Sequence, residues 1–311
     1  MSFPTACPVC AAKEIGHWSL AKDYEYFSTT TTYTYYNCTS CRSIFLSPLP
    51  VEDLRTIYPS NYYSFVAAKP NIITRIKEGF DKQYFKKLLK RFNAPQLKVL
   101  DVGGGTGWLS DLLKAADNRV ALAQIVDIDA DAKAIAESKG HTYYQGTLES
   151  FESTEKFHLI LLLNLIEHVS DPLVVLKKAG SLLEKGGSIL IKTPNTDCFD
   201  ARLFRNSYWG GLHCPRHWVL FSEKSFRYLV SKTDLKIDSL KYTQGAPFWA
   251  FSIIAALYRK RCLHISATKP IVYHSLFPVL CGIFAAFDFL RRPLTKTAQM
   301  FIVLDKKAST S

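Results

Sequence analysis

One glycine run constrains this chain of 311 residues more than any other stretch: Val99-Leu100-Asp101-Val102-Gly103-Gly104-Gly105-Thr106-Gly107-Trp108-Leu109. Residues 97–102 are mostly apolar and read as a buried strand, and a helix is expected to open near Trp108. At such a turn glycine lets the backbone approach a ligand closely, and the helix N-terminus behind it offers N–H groups without intrahelical partners. A plain strand-to-helix turn would use glycine too. The spacing narrows the choice, because Gly103, Gly105 and Gly107 follow G-x-G-x-G, whereas a dinucleotide fingerprint wants G-x-G-x-x-G.

Asp101 stands just before the turn. Its carboxylate would repel a pyrophosphate but suits a ligand carrying an ammonium and a sulfonium group, which favours S-adenosylmethionine (SAM) over a nicotinamide dinucleotide. About twenty positions past the glycines, Asp127 lies near the end of a second expected strand, 121–128, where nucleotide-binding α/β folds place a carboxylate on the ribose hydroxyls. Asp129 is better read as the cap of a helix over 130–138. The tract D-x-G-x-G-x-G resembles the first motif of the class I SAM-dependent methyltransferases, and Val126-Asp127-Ile128-Asp129 resembles their second. The resemblance implies an α/β fold with a Rossmann-like, doubly wound, seven-stranded sheet whose last strand is antiparallel. It also implies a SAM site built from Asp101, Gly103, Gly105, Gly107 and Asp127, with Asn164 beside it. Thr147, after a third strand at 141–146, holds the position where such enzymes often carry an acid near the adenine amino group.

A fourth strand, Phe157–Leu163, is followed by Asn164-Leu165-Ile166-Glu167-His168-Val169-Ser170-Asp171-Pro172. Doubly wound sheets put ligands at the carboxyl ends of their strands, so Glu167 and His168 are expected near the transferred methyl group, although they could simply cap the next turn. A helix over 172–183, a strand over 188–193 and a helix over 225–232 follow. Between the last two, the irregular stretch 194–220 is too aromatic for disorder and reads as a substrate lid, with Trp209, His213, Arg216 and His217 in it. The Leu-x-Glu-His-Val-x-Asp-Pro tract resembles the ubiquinone-pathway O-methyltransferases. A His ahead of Phe221-Ser222 is shared with them and with small-RNA 3′-terminal 2′-O-methyltransferases. That resemblance implies that Glu167, His168 and His217 handle the acceptor, either around a divalent metal or with a His as general base on a hydroxyl. The RNA enzymes carry a further Glu where this chain has Asn164. A packing role for His217 is the alternative.

Upstream, Cys7-Pro8-Val9-Cys10 and Cys38-Thr39-Ser40-Cys41 form two C-x2-C knuckles. Cys7, Cys10, Cys38 and Cys41 together make a closed tetrahedral zinc site, structural rather than catalytic because no position stays open. The Thr- and Tyr-rich residues 24–36 read as a β-hairpin between the knuckles. Zinc would stabilise a module too small for a core of its own. The expected organisation is a zinc ribbon over 1–47, a proline-marked linker and leading helix over 48–95, and the catalytic domain over 96–311. The ribbon and linker resemble a leader found on some bacterial class I methyltransferases.

After an expected strand at 235–242, a hydrophobic insertion at 247–297 precedes the last strand, 299–305. It holds two nearly uncharged segments, 248–258 and 271–290, flanked by Arg259-Lys260-Arg261, Lys269 and Arg291-Arg292. Spanning a bilayer takes about 20 apolar residues, and the first segment is too short. The second is broken by His274, Pro278 and Asp288. Helices lying in a membrane surface fit better, with a buried cap or a dimer interface as the alternative. The formal net charge of +12 calls for an anionic partner. No secretory signal is read at the N-terminus, so the expected location is the cytoplasm, at the inner face of the cytoplasmic membrane. The expected reaction is SAM-dependent O-methylation of a small molecule, glycan, lipid-linked sugar or quinone-like lipid. The rivals are an RNA methyltransferase, with nucleic acid the less expected partner, and a binding module without turnover.

Overall fold

The computed structural model describes residues 4–59 and 72–307. In chain order the elements are β1 (Ile15–Ala21), β2 (Tyr33–Cys38), β3 (Ile44–Leu46), α1 (Leu54–Ile57), α2 (Ile72–Leu89), β4 (Leu97–Val102), α3 (Trp108–Ala116), β5 (Val120–Asp127), α4 (Ala130–Ser138), β6 (Thr142–Gln145), β7 (Phe157–Leu163) and α5 (Pro172–Leu182). They continue with β8 (Leu183–Pro194), α6 (Phe199–Leu203), β9 (Val219–Leu220), α7 (Glu223–Ser231), β10 (Leu235–Thr243), α8 (Ala246–Arg259), α9 (Leu276–Arg291) and β11 (Gln299–Lys306). Residues 60–71 of the expected linker and leading helix lie outside the described residues.

Seven strands form one sheet in the order β10-β11-β8-β7-β4-β5-β6. The pairings from β8 through β6 are parallel, while β11 runs antiparallel to both β8 and β10, as expected for the last strand. Parallel strands covered on both faces read as continuous apolar runs, and β4 and β7 do so: Val99, Leu100, Leu159, Ile160 and Leu161 are fully buried. Helices start where the sequence placed caps. Asp129 accepts from the N–H groups of Asp131 and Ala132 at the start of α4, and Asp171 does the same for α5, which has Pro172 in its first turn.

The N-terminal hairpin differs from expectation. It pairs β1 with β2, and residues 22–32 are the connection between them rather than strands. The cause is Asp23, whose side chain gathers the N–H groups of Glu25, Tyr26 and Ser28 and folds the chain into a turn. β3 then pairs with β9, so the small sheet β1-β2-β3-β9 takes its last strand from a point 174 residues later, Phe45 lying opposite Val219. The ribbon and the catalytic domain therefore share a sheet.

The insertion is a helical hairpin. α8 buries Phe248, Phe251, Ile254 and Ala255 against the core, and Trp249 stacks on Phe284 of α9 with ring centroids 4.5 Å apart. Asp288, which interrupts the apolar run of α9, is fully buried and has full hydrogen bonding. It accepts from the Gly245 N–H at 2.7 Å and from Arg291 at 2.8 Å, and Arg291 in turn reaches Asp200. A buried carboxylate costs too much to keep without such partners. Residues 208–222 are buried throughout, packed between the small sheet and α8, so the second half of the stretch read as a lid is a wall of the interior.

Candidate active site

β4, β5 and β7 bring two groups of residues to one sheet edge. The glycine turn leaves β4 there, and the segment 164–168 leaves β7 beside it, since Asp101 pairs with Leu161. A Cβ built on Gly103 would lie 3.1 Å from the Leu165 side chain, which shows how closely the two segments approach.

Asp101 is 2% exposed, and its hydrogen bond comes from the Ser110 hydroxyl at 3.3 Å. Burial pushes its carboxyl up to about 7, and the charge of Asp127 adds to the shift. Gly107 caps α3 at φ 78°, and a side chain there would strike the His141 ring at 2.7 Å. Only glycine meets both constraints. Asp127 acts on the glycine turn itself. Its Oδ2 accepts from the Gly105 N–H at 2.8 Å and its Oδ1 from the Asp129 N–H at 3.0 Å, so it holds the glycine loop in place. Burial raises this carboxyl as well. Thr147 and Asn164 are exposed, and Asn164 adopts φ 54° with its N–H on the Lys192 carbonyl. Ile128, which sequence reasoning passed over, is 62% exposed directly after Asp127, an apolar face beside that carboxylate.

The second group is largely buried, with His168 half-buried. Glu167 is fully buried, and neither carboxyl oxygen has a hydrogen-bond partner. Burial pushes its carboxyl up to about 8. The Glu167 carbonyl accepts from the N–H groups of Trp218 and Val219, which fixes the backbone of the later segment against it. His217 uses Nδ1 to donate to the Gly211 carbonyl at 2.8 Å, so Nε2 carries the lone pair, and it lies 3.9 Å from Glu167 Oε1. His168 Nδ1 meets the Tyr58 hydroxyl at 3.0 Å, and its ring centroid is 4.6 Å from that of His217. Burial drives both imidazoles down, His168 to about 3 with His213 adding to the effect, and His217 further under His168 and His213.

Ligand atoms of Glu167, His168 and His217 all lie within 4.8 Å of one another. The chemistry fits a divalent cation: two imidazoles held neutral, and a carboxyl whose buried oxygens lack any other partner. The four cysteines fit a metal equally well. Their sulfurs are 3.7 Å apart for Cys7 and Cys41 and 3.5 Å for Cys10 and Cys38, against about 3.8 Å between ligands of a tetrahedral Zn–S site.

Sequence reasoning did not single out Glu25, Tyr58 or His213 as site residues. Tyr58 and Glu25 lie far back in the chain, and local spacing carries no sign of them. His213 had a signal, the H-x3-H spacing to His217.

A seven-stranded sheet in this order, with a glycine turn at its carboxyl edge, defines the Rossmann-like transferases that bind a nucleotide cofactor. The family model described as "Methyltransferase domain" matches residues 76–240, and the chain belongs to that family. Among curated proteins it is similar to the ubiquinone biosynthesis O-methyltransferase of Bradyrhizobium diazoefficiens, 31% identical over 107 residues that cover 32% of this chain and 40% of that one. It is also similar to the ubiquinone/menaquinone biosynthesis C-methyltransferase of Rubrivivax gelatinosus, 27% identical over 176 residues, 54% of this chain and 68% of the other. The match thus spans less than half of the O-methyltransferase. Of solved structures, coclaurine N-methyltransferase bound to N-methylheliamine and S-adenosylhomocysteine (SAH) superposes with a TM-score of 0.52 at 13% identity, covering 83% of this chain and 82% of that one. A putative sarcosine dimethylglycine methyltransferase from Galdieria sulphuraria gives 0.50 at 14% identity, covering 75% and 88%. At such identities the likeness is one of fold.

Proposed function

We propose that this protein transfers the methyl group of SAM to a hydroxyl oxygen of a quinone-like lipid, a lipid-linked sugar or another glycan. The observation that carries this reading is the Glu167–His168–His217 cluster placed one strand away from the glycine turn. Asp101 and Asp127 suit the ammonium and ribose ends of the cofactor, and Ile128 offers an apolar face nearby. In the reaction the acceptor oxygen attacks the methyl carbon in line. The C–O bond forms, the C–S bond breaks, the sulfonium becomes a neutral thioether, and the hydroxyl proton passes to the imidazole cluster. A divalent cation held by Glu167, His168 and His217 would supply Lewis acidity to the acceptor oxygen. The chain's own residues align the reactants and keep water away, which accounts for much of the barrier in a transfer of this type. Cys7, Cys10, Cys38 and Cys41 would hold a zinc ion that stabilises the small sheet.

The exposed face of α9 supports a place for this reaction. Leu276, Val279, Ile283, Phe287 and Leu290 recur every three or four residues, each at least 39% exposed, and Leu294 continues the line. Exposed Arg259, Lys260, Arg261 and Lys269 border one end of the hairpin and Arg292 the other. An apolar stripe with basic ends fits an anionic bilayer surface, and no described helix is long and apolar enough to cross a membrane.

The deciding experiment is calorimetric titration with SAH, repeated for Asp127→Ala and after exhaustive chelation. Micromolar binding by the wild type that is lost in the variant supports the cofactor site. Binding that survives chelation while transfer to lipid and glycan extracts stops supports a catalytic metal. A folded wild-type chain that binds no SAH overturns the proposal.

A further inference from the structure

Asp127 is not alone in holding the glycine turn. Helix α4 ends at Lys139, and the chain reverses through Gly140 at φ 77°, a left-handed position that suits glycine. The Gly140 N–H reaches the Glu137 carbonyl and the His141 N–H that of Ala136, which closes the helix and leaves Lys139 and His141 on either side of the bend. Both side chains converge on Asp111, in the first turn of α3. His141 Nε2 lies 2.7 Å from Asp111 Oδ1, and Lys139 Nζ lies 3.0 Å from Oδ2, so each carboxylate oxygen has its own partner.

Two members of this group act on the turn. Lys139 Nζ also donates to the Thr106 carbonyl at 2.9 Å, while the N–H of the same peptide, on Gly107, donates to the Gly104 carbonyl at 3.0 Å. Both ends of the Thr106–Gly107 peptide are thus fixed, just where α3 opens. The His141 ring fills the space that a Cβ on Gly107 would need. Its side chain is fully buried, and its Nδ1 has no hydrogen-bond partner. An apolar ring would fill that space without the cost of an unpaired nitrogen. The histidine is explained by Nε2, which carries the proton because a carboxylate only accepts.

We propose that Lys139, Asp111 and His141 are positioning residues for the cofactor, locking the Thr106–Gly107 peptide in the shape that binds SAM. The proposal rests on the reading of the glycine turn as the SAM site. Lys139 and Asp111 are half-exposed, and ion pairs of that kind add little to global stability, so their effect is local to the turn. The sign of the effect separates this role from a field effect. SAM carries a net positive charge, so removing a nearby lysine tightens SAM if charge alone matters and loosens it if the shape of the turn matters.

The test is calorimetry with SAM and with SAH on the full zinc-loaded chain, for the wild type, Lys139→Met and Lys133→Met. Lys133 is the control, a lysine of the same helix that pairs with Glu137 instead. Lys139→Met is expected to bind both ligands about 3- to 10-fold more weakly with little change in melting temperature, and Lys133→Met to bind them as the wild type does. His141→Phe keeps a ring under Gly107 and loses Nε2–H, so it should weaken both ligands as well. If it does not fold, Lys139→Met carries the test. In the cofactor-free chain, exchange of the Gly105 and Gly107 amide hydrogens should speed up in Lys139→Met. Unchanged or tighter SAM binding by Lys139→Met overturns the proposal, as does an equal loss in Lys133→Met or unchanged exchange at the two glycines. A wild type that binds neither ligand sinks the SAM reading instead, because the exchange is read without cofactor.

Discussion

Asp101 shows how a carboxyl ahead of the glycine turn is kept buried at the expense of stability. Its carboxyl titrates near 7 in the folded protein because burial disfavours the charge, whereas the unfolded chain titrates near the ordinary 3.8. A carboxyl raised on folding costs nothing at low pH, where both states are protonated. Stability then falls as pH climbs from about 4 through 7 and levels off above, with a total on the order of a few kcal/mol. Asp101→Asn removes that slope. The cofactor-free variant is therefore expected to melt higher than the wild type at pH 8, with the advantage shrinking towards pH 5, and to bind SAH more weakly because the ammonium loses its counter-charge. Thermal melts across this range check the first part and calorimetry the second. Parallel pH profiles in the two proteins would remove Asp101 as the cause. The residue was legible in the sequence from its place before the glycines. Its raised titration was not, because that depends on burial in the fold and on the charge of Asp127.

At the scale of elements, the small sheet and the buried segment 208–222 hold each other. Arg216 pairs with Asp23 at 2.8 Å with both side chains fully buried, and its guanidinium lies 4.7 Å from the centre of the Tyr26 ring. Burial alone would raise the Asp23 carboxyl, but the charge and hydrogen bonds of Arg216 outweigh it and hold it below the usual range. The Tyr35 hydroxyl donates to the His217 carbonyl, and the Ser222 hydroxyl to the Cys41 carbonyl. Removing one partner of a buried pair leaves the other charge stranded, so Asp23→Ala is expected to cost roughly 3–5 kcal/mol. Stripping the metal with a strong chelator should loosen the same segment. Hydrogen exchange would then rise at residues 212–220 together with β1 to β3, while β4 and β5 stay protected. Exchange confined to the knuckles would show the two modules to be independent. This coupling is the part of the fold least visible in sequence. β4, β7, α3 and α4 announce themselves by apolar runs, caps and glycine. β9 has two residues and exists only because β3 offers an edge, and the Thr-rich run before β2 looks like strand until Asp23 bends the chain ahead of it.

The whole molecule has a polarity that neither domain shows alone. Its excess of basic charge, +12 in total, is spread in part around the α8–α9 hairpin, whose inner face is sealed by Trp249, Phe284 and the Asp288–Arg291–Asp200 network. The outer face of α9 keeps its apolar stripe in solvent. A buried cap would have turned those side chains inward, and the network instead fixes the hairpin with the stripe facing out. Asp200 also accepts from the Trp209 indole, so the hairpin is braced directly against the wall that leads to His213 and His217. On the proposed function, a surface held in this way would carry the acceptor side towards an anionic bilayer. Sedimentation with phosphatidylglycerol vesicles is expected to pull down the wild type strongly at low salt and less as salt screens the basic ends. Pure phosphatidylcholine should retain it weakly. Ile283→Glu combined with Phe287→Glu is expected to reduce binding about tenfold or more, with SAH affinity unchanged, because it places two charges in the apolar layer. Vesicle binding that ignores both lipid charge and these two residues would assign the stripe to another partner, and a second copy of the chain would then show itself as a dimer in solution that the double variant abolishes.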